Sequence, residues 1–213
     1  MPINAVILDY GYVLCLPPRE EDFEALRRMS GINDGAFRAV YWRHRRDYDC
    51  GLLDGPAYWQ ELAREAGTSL SPEQIEKLMA QDNLLWIHPN PPMLEWVRAL
   101  RRRGMKTAVI SNMPRDISSY LRRTAKWLDV FTHLCFSGEL KLCKPDTAIY
   151  RSCLASLGVP AEEALFIDDV EANVSGARMV GLHGLVFQSV EKLRADLGPF
   201  GLVALPEKAA RAK

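Results

Sequence analysis

The hydrophobic pattern of the chain contains five short apolar runs that are typical of buried parallel strands. They lie near residues 5–9, 107–111, 130–136, 164–168 and 183–187. The runs are short, contain β-branched residues and are apolar on both faces, as strands covered on both sides of a sheet are. Amphipathic helical patterns separate the later runs, and Gly104 ends the one that begins near residue 92. This alternation predicts an α/β fold, a Rossmann-like doubly wound parallel sheet.

The connection after the first strand is far longer than a strand-to-helix loop. Roughly seventy-five residues separate the first strand from the helix that leads to the second, where a handful of residues is usual. Four helical patterns fill this segment, over residues 22–29, 36–49, 56–67 and 71–86. The last opens with Ser71 as N-cap, Pro72 in the first turn and Gln74 completing a capping box.

Proline-rich stretches stand on both sides of this helical segment. Such stretches act as stiff linkers. We therefore predict a helical cap over residues 16–89, inserted into a catalytic core formed by residues 1–15 and 90–213 and placed over the crevice of that core.

Length and charge restrict the class of partner. The chain has 213 residues, enough for a full core and a small second module, and its 27 basic residues balance its 27 acidic ones. A balanced charge provides no field that would recruit nucleic acid or an anionic membrane. No apolar stretch is long enough for a membrane span, and the first strand begins too early to leave room for a leader. We expect a cytoplasmic protein, either monomer or homodimer.

Cysteine usage supports the same expectation. The chain has five cysteines, an odd number without a CxxC pair: Cys15, Cys50, Cys135, Cys143 and Cys153. This pattern is typical of reduced thiols in a cytosolic protein and not of a disulfide framework.

Acidic residues stand directly at the ends of two predicted strands. Asp9 ends the first run, and Asp168 and Asp169 end the fourth, with Asn173 four residues later. The carboxyl ends of parallel strands line one crevice, so these carboxylates can converge on one cation and an anionic substrate. Two alternatives stay open for Asn173: it orients the acids without touching substrate, or it is a plain surface residue of a helix.

Anion-binding groups occur at two further positions. Ser111 ends the second core strand, so that its hydroxyl and the backbone N–H of Asn112 can hold an anionic oxygen. Lys144 precedes Pro145, which we expect in the first turn of a helix, with Lys141 as the alternative cation. A carboxylate nucleophile beside a cation site and a lysine is suited to phosphoryl transfer.

These elements, in this order, resemble the haloacid dehalogenase-like hydrolases in the subclass with a helical cap after motif one. The four motifs of that family correspond to Asp9 in ILDYGYVL, Ser111 in VISN, Lys144 in KPD, and the segment DDVEANVSGA that begins at Asp168. The resemblance extends from residue 5 to about residue 190. The segment YDCGLLDGPAYW is also similar to the branch that includes the N-terminal phosphatase domain of soluble epoxide hydrolase and bacterial sugar-1-phosphate phosphatases.

The resemblance implies a Mg²⁺-dependent phosphatase acting on a small phosphorylated metabolite, such as a sugar phosphate, through an aspartyl-phosphate on Asp9. Its implied metal ligands are Asp9, the Gly11 carbonyl and Asp169, with Asp168 nearby. Its implied phosphate ligands are Ser111, the backbone of Asn112, and Lys144.

One position departs from the family pattern. Family phosphatases usually carry a second aspartate two residues after the nucleophile, as general acid, and this chain has Gly11 there. Loss of a general acid typically lowers the rate about 10²–10⁴-fold. We therefore expect a preference for leaving groups of low pKa, and we regard His44 as the first candidate for a replacement acid.

Three other functions remain open. The family's 2-haloacid dehalogenases lack the paired acids and carry a tyrosine two residues after the nucleophile, whereas Tyr12 here stands three residues after it. Phosphonatases use a cap lysine, for which only Lys77 is present within the predicted cap. A non-catalytic relative that binds a phosphorylated ligand is the third, and Gly11 favours it.

The predicted cap also contains an aromatic and basic run. In the sequence YWRHRR, we expect Tyr41 and Trp42 to belong to the cap core and each arginine to lie on a solvated face. Tyr12 either projects toward the substrate or packs under the cap.

Overall fold

A parallel five-stranded sheet forms the centre of the protein. The computed structural model describes residues 2–202, so the last residues of the predicted core, 203–213, lie outside the described part. The strands are β1 (Ala5–Leu8), β2 (Lys106–Ser111), β3 (His133–Phe136), β4 (Ala164–Asp168) and β5 (His183–Val186). All neighbours are parallel, in the order β3-β2-β1-β4-β5. All five predicted strands are confirmed; β3 begins later than expected because Lys126–Val130 forms a 3₁₀ segment.

Five helices fill the long connection after β1, where the sequence predicts four. They are α1 (Glu20–Ser30), α2 (Asp34–Arg43), α3 (Arg45–Asp49), α4 (Gly55–Glu65) and α5 (Pro72–Leu85). We refer to α1–α5 as the helical insertion. The predicted capping box starts α5, since the Gln74 N–H donates to Ser71 Oγ at 3.2 Å and the Ser71 N–H donates to Gln74 Oε1 at 2.8 Å.

The remaining helices cover both faces of the sheet. They are α6 (Pro91–Arg102), α7 (Arg115–Thr124), α8 (Ser137–Leu140), α9 (Thr147–Leu157), α10 (Glu171–Met179) and α11 (Val190–Asp196). Alternate residues of β1 belong to two different apolar clusters, Val6 and Leu8 to one and Ala5 and Ile7 to the other. Because each cluster packs against its own helices, the sheet is doubly wound and its strand ends stay free for chemistry.

One predicted helix is broken in the structure. The pattern over 36–49 predicts a single helix, but α2 ends at Arg43 and α3 begins at Arg45, with His44 between them at φ −95° and ψ −3°. The break changes the direction in which the following side chains point. Arg45 turns into the interior, which the helical periodicity of the sequence does not reveal.

The two connections between the insertion and the core run side by side. The Leu16 N–H donates to the His88 carbonyl at 2.7 Å, and the Asn90 N–H donates to the Leu14 carbonyl at 2.8 Å. The Asn90 side chain adds a bond from Nδ2 to the Val13 carbonyl. The insertion therefore leaves and rejoins the core at one place, beside the end of β1.

A disulfide overturns the expectation that every cysteine is reduced. Cys50 follows α3 and Cys143 precedes Lys144, and they form a disulfide with a Cα–Cα distance of 5.5 Å across 93 residues of sequence. Cys15, Cys135 and Cys153 are free and buried. Sequence spacing could not reveal this pair, because only the packing of the insertion on the core brings the two residues together.

The close approach of insertion and core extends to the next residue. Gly51 has φ +72°, and a Cβ built on it would lie 3.1 Å from the Gly138 carbonyl oxygen.

None of the helices in residues 2–202 combines the length and the hydropathy that a bilayer span requires. The cytoplasmic location stays a prediction.

Candidate active site

The predicted site residues meet at the carboxyl ends of the strands, as the sheet topology requires. Asp9 directly follows β1, Ser111 ends β2, and Asp168 ends β4. Asp9 and Ser111 line a cavity of about 260 Å³. Its lining includes Asp9, Tyr10, Gly11, Tyr12, Trp42, Arg45, Asp49, Trp86, Ser111, Asn112, Met113, Pro114, Ile117, Lys144, Asp169, Val170 and Asn173.

Lys144 joins two of the acids. Its Nζ donates to Asp9 Oδ1 and to Asp168 Oδ2, each at 2.6 Å, and all three side chains are buried. Burial lowers the pKa of the Lys144 ammonium, but the carboxylates of Asp9 and Asp168 outweigh burial and the pKa rises above its ordinary value. Lys144 is therefore a fixed positive charge at the floor of the cavity.

Asn112 holds the backbone of Lys144 in place. Its Nδ2 donates to the Lys144 carbonyl at 2.9 Å, and the Lys144 N–H donates to Asn112 Oδ1 at 2.8 Å. The expected helix start at Pro145 is wrong by two residues, because Asp146 is the N-cap and α9 begins at Thr147. Lys141, the alternative cation, is exposed and does not line the cavity.

Asp168 is saturated by hydrogen bonds. Its Oδ1 accepts from the Val170 N–H at 2.8 Å and from Asn173 Nδ2 at 2.9 Å, while Oδ2 accepts from Lys144. Asn173 thus orients this acid, which is the first of its two alternatives. With both oxygens engaged in hydrogen bonds, Asp168 fixes the position of the Lys144 ammonium.

The three acids nevertheless form a cluster that fits a hard cation. Carboxylate oxygens of Asp9, Asp168 and Asp169 lie within 4.8 Å of one another. Burial raises the pKa of Asp9 to about 7, against the opposing effect of Lys144, and burial together with Asp168 raises the pKa of Asp169. The Gly11 carbonyl accepts from the Val13 N–H at 2.7 Å and retains a second lone pair. A divalent cation would relieve this crowding of negative charge.

Ser111 offers an unused hydroxyl. Its side chain is buried and lines the cavity, and within residues 2–202 no hydrogen bond involves its Oγ. The hydroxyl can therefore donate to an anionic oxygen without giving up an existing bond.

Trp86 occupies the space beside Gly11. A Cβ built on Gly11 would lie 3.6 Å from Cζ3 of the indole ring. Tyr12, at φ 58°, contacts the same ring edge-on with centroids 6.3 Å apart and lines the cavity. Of the two alternatives for Tyr12, the structure therefore places it at the cavity.

The helical insertion contributes three side chains to the cavity that the sequence did not assign to it. The expectation that Trp42 belongs to a cap core is wrong, because it is 41% exposed and lines the cavity, whereas Tyr41 is buried as expected. The solvated face expected for Arg45 is also wrong, since it is 5% exposed. Asp49, at the end of α3, is the third. Arg45 and Asp49 follow the break at His44, whereas Trp42 precedes it.

Arg45 is held by two carboxylates. Its Nε donates to Asp49 Oδ1 at 2.8 Å, and its Nη1 donates to Asp82 Oδ2 at 2.9 Å. His44 instead bonds Glu65 Oε2 at 2.7 Å. His44, the replacement acid expected from the sequence, therefore does not line the cavity.

Gly176 allows α10 to approach the loop that carries Lys144. A Cβ on Gly176 would lie 2.4 Å from the Pro145 carbonyl oxygen. Helix propensity alone would make Gly176→Ala stabilising by about 0.5–1 kcal/mol. We expect the opposite sign, a loss of about 1–3 kcal/mol from overpacking, measured by chemical denaturation. Ser175→Ala, at an exposed neighbouring position, is the control, and a gain of stability in Gly176→Ala would contradict the close contact.

Comparison with known proteins agrees with this geometry. The sequence model described as hydrolase, haloacid dehalogenase-like hydrolase, matches residues 5–181. Phosphatase MT3486 of Mycobacterium tuberculosis is 25% identical over 213 aligned residues, which cover 95% of this chain and 97% of that protein.

Other curated relatives are longer proteins. The match to mouse Acyl-CoA dehydrogenase family member 10 is 33% identical and covers 51% of this chain but 10% of that protein. The match to pig Bifunctional epoxide hydrolase 2 is 24% identical and covers 92% of this chain but 38% of that protein. The chain thus spans only part of these two relatives.

Solved structures share the fold. A HAD family enzyme, bt-2542 of Bacteroides thetaiotaomicron, crystallised with magnesium and inorganic phosphate, superposes with a TM-score of 0.69 at 21% identity over 87% of this chain and 94% of that one. L-2-haloacid dehalogenase of Xanthobacter autotrophicus gives a TM-score of 0.67 at 21% identity, over 93% and 84% of the two chains. With its sheet, its strand-end acids and the family match over most of its length, the chain belongs to the haloacid dehalogenase-like hydrolases.

Proposed function

We propose that this hydrolase is a Mg²⁺-dependent phosphatase that cleaves a small phosphate monoester, such as a sugar phosphate, through an aspartyl-phosphate on Asp9. The observation that carries the proposal is the bridge formed by Lys144. One buried ammonium contacts Asp9 and Asp168 at 2.6 Å each, beside Asp169 and the unused hydroxyl of Ser111. A nucleophile, a cation site and donors for an anion thus surround one cavity.

Each residue has a defined role in this proposal. Asp9 Oδ2, which has no hydrogen bond within the described residues, attacks phosphorus while Oδ1 stays on Lys144. Ser111, the Asn112 backbone and Lys144 hold the oxygens of the transferring group. Mg²⁺ held by Asp9, Asp169 and the Gly11 carbonyl would neutralise charge on that group, while Asp168 keeps Lys144 oriented.

The size and wall of the cavity support a small substrate. A volume of about 260 Å³ lies near the lower end of ordinary ligand pockets. Trp42, Arg45 and Asp49 of the insertion line one side of it. We propose that residues 16–89 act as the cap that encloses the leaving group over the core.

The cluster of acids at the floor of the cavity supports phosphatase chemistry over dehalogenation. The cluster of Asp9, Asp168 and Asp169 has a use in a Mg²⁺ site and none in a reaction that needs no metal. The relatives named above include both phosphatases and a dehalogenase, so the acids and not the fold carry the distinction.

Phosphate and halide release test this proposal directly. With 5 mM MgCl₂ as the chosen assay condition, we expect inorganic phosphate from a panel of phosphate monoesters, loss of nearly all turnover in EDTA, and recovery when Mg²⁺ is added back. Halide release is measured in parallel with a panel of L-2-haloacids. Halide release without phosphate release would favour a dehalogenase. Phosphate binding by calorimetry without turnover of any ester would favour a non-catalytic binder.

A further inference from the structure

The loop after Asp9 has no proton donor at position 11, and the structure shows what fills the gap. The indole of Trp86 lies 3.6 Å from where a Cβ of Gly11 would be. An indole N–H donates hydrogen bonds but does not exchange its proton as an acid near neutral pH. An acid that protonates the leaving group would therefore have to come from another part of the cavity. This inference rests on the proposed phosphatase function.

The geometry of the displacement indicates on which side of the phosphoryl group such an acid would lie. In an in-line displacement, the leaving oxygen lies on the far side of phosphorus from the nucleophile. Asp9 belongs to the core, while Trp42, Arg45 and Asp49 of the insertion line the same cavity. Of these three side chains, only the Asp49 carboxyl exchanges a proton between about pH 4 and pH 8.

The Asp49 carboxyl has one engaged and one available oxygen. Oδ1 accepts from Arg45 Nε at 2.8 Å, whereas no hydrogen bond to Oδ2 occurs within residues 2–202. The side chain is 18% exposed and lines the cavity. Arg45 thus fixes the rotation of the carboxyl and leaves Oδ2 for a substrate oxygen or a water molecule.

Two links hold the Asp49 backbone against the core. Its carbonyl accepts from Ser137 Oγ, and that hydroxyl in turn accepts from the Met113 N–H at 2.8 Å. The next residue, Cys50, forms the disulfide with Cys143, which immediately precedes Lys144. Asp49 and Lys144 are therefore each one residue from the same crosslink, an arrangement that preorganises the Asp49 carboxyl relative to the phosphate site.

The surrounding charges suit proton transfer. Burial raises the pKa of Asp49 to about 6; Arg45 and Lys144 oppose the rise, and Asp82 adds to it. The hydroxyl of Tyr58, from α4, is also within electrostatic range. A general acid or base works best when its pKa lies near the operating pH.

We propose that Asp49 replaces the missing acid of the Asp9 loop and serves first as general acid and then as general base. Asp9 forms a bond to phosphorus while the bond from phosphorus to the leaving oxygen breaks. The electron pair stays on that oxygen, which takes the proton of the Asp49 carboxyl and departs as a neutral alcohol. Water then gives its proton to the Asp49 carboxylate and bonds to phosphorus. The phosphorus–Asp9 bond breaks, which releases inorganic phosphate and restores both acids.

Leaving-group dependence tests this assignment. Methyl phosphate needs protonation of its leaving oxygen, whereas 4-nitrophenyl phosphate does not. For Asp49→Asn we expect kcat for methyl phosphate to fall about 10²–10⁴-fold. With 4-nitrophenyl phosphate, a stopped-flow burst of nitrophenolate should persist before a slow steady state, because only hydrolysis of the aspartyl-phosphate still needs a base. Wild-type kcat for methyl phosphate should decline as pH rises through the pKa of Asp49, and this limb should vanish in the variant.

Asp47→Asn is the matched control, since Asp47 is an exposed acid on the same helix and lies outside the cavity lining. This control should change kcat by no more than about twofold for either ester. In a folded Asp49→Asn protein, an equal fall in the first-turnover rate of leaving-group release for both esters, or no fall in turnover of either, would overturn the assignment. If that variant melts early, Asp49→Glu decides, because a restored carboxyl should restore methyl phosphate turnover. A wild-type protein that releases no phosphate from either ester would instead refute the proposed function.

Discussion

Asp9→Asn is expected to lower kcat by about 10⁴-fold or more for every phosphate ester, because an amide cannot form the aspartyl-phosphate. The loss should not depend on the leaving group, which separates the nucleophile from the acid role proposed for Asp49. A single-turnover experiment with a slow substrate, quenched in acid, should trap phosphate on the wild-type protein and none on the variant.

Asp129→Asn provides the same chemical change at an exposed position of the core. It should retain kcat within about twofold. An Asp9→Asn protein that releases phosphate at a rate comparable to this control would show that another residue attacks phosphorus.

The Asp9→Asn variant should also reveal how much the ionisation of Asp9 lowers the free energy of unfolding. Burial raises the pKa of Asp9 in the folded protein to about 7, against about 3.9 in an unfolded chain. A raised pKa contributes stability that is fully present below about pH 4 and is lost as pH rises through about 7. Asn does not titrate. In EDTA, the free energy of unfolding of wild type minus that of Asp9→Asn should therefore decrease from pH 5 to pH 8, and a difference that is constant with pH would contradict the raised pKa.

Much of the core could be predicted because the patterns that indicate its strands lie within short stretches of sequence. Apolar runs that are buried on both faces indicate parallel strands, and such strands carry their terminal residues to one edge of the sheet. Asp9, Ser111 and Asp168 therefore meet in the structure where the sequence predicts. The capping box at Ser71 is local in the same sense, since all its hydrogen bonds lie within four residues.

The wall formed by the insertion could not be predicted because it depends on distant contacts. The periodicity of residues 36–49 is that of one helix, and only the structure shows the break at His44 that turns Arg45 inward. Arg45 then pairs with Asp82, thirty-seven residues away. The Cys50–Cys143 bridge spans 93 residues. A single sequence contains no signal for any of these, so it could identify the floor of the site and not the groups above it.

Lys144→Met should be the most damaging substitution for activity and stability together. Lys144 Nζ forms ion pairs with both Asp9 and Asp168, at 2.6 Å to each. Met has a similar length and no charge. We expect kcat/KM to fall by about 10³-fold or more, because the transferring phosphoryl group loses its fixed cation. We also expect a loss of about 3–5 kcal/mol in the free energy of unfolding, since two buried carboxylates lose their common partner.

The pH dependence distinguishes this electrostatic cause from a packing defect. Without the ammonium, the pKa of Asp9 should rise further above its wild-type value of about 7, so the folded variant keeps a proton that the unfolded chain releases. Its stability deficit relative to wild type should therefore be larger at pH 8 than at pH 5, with the increase above about pH 7. Lys141→Met, three residues earlier and exposed, should show neither effect. A deficit of equal size at all pH values would mean that Lys144 matters for its volume and not for its charge, because a lost methylene contact does not depend on protonation.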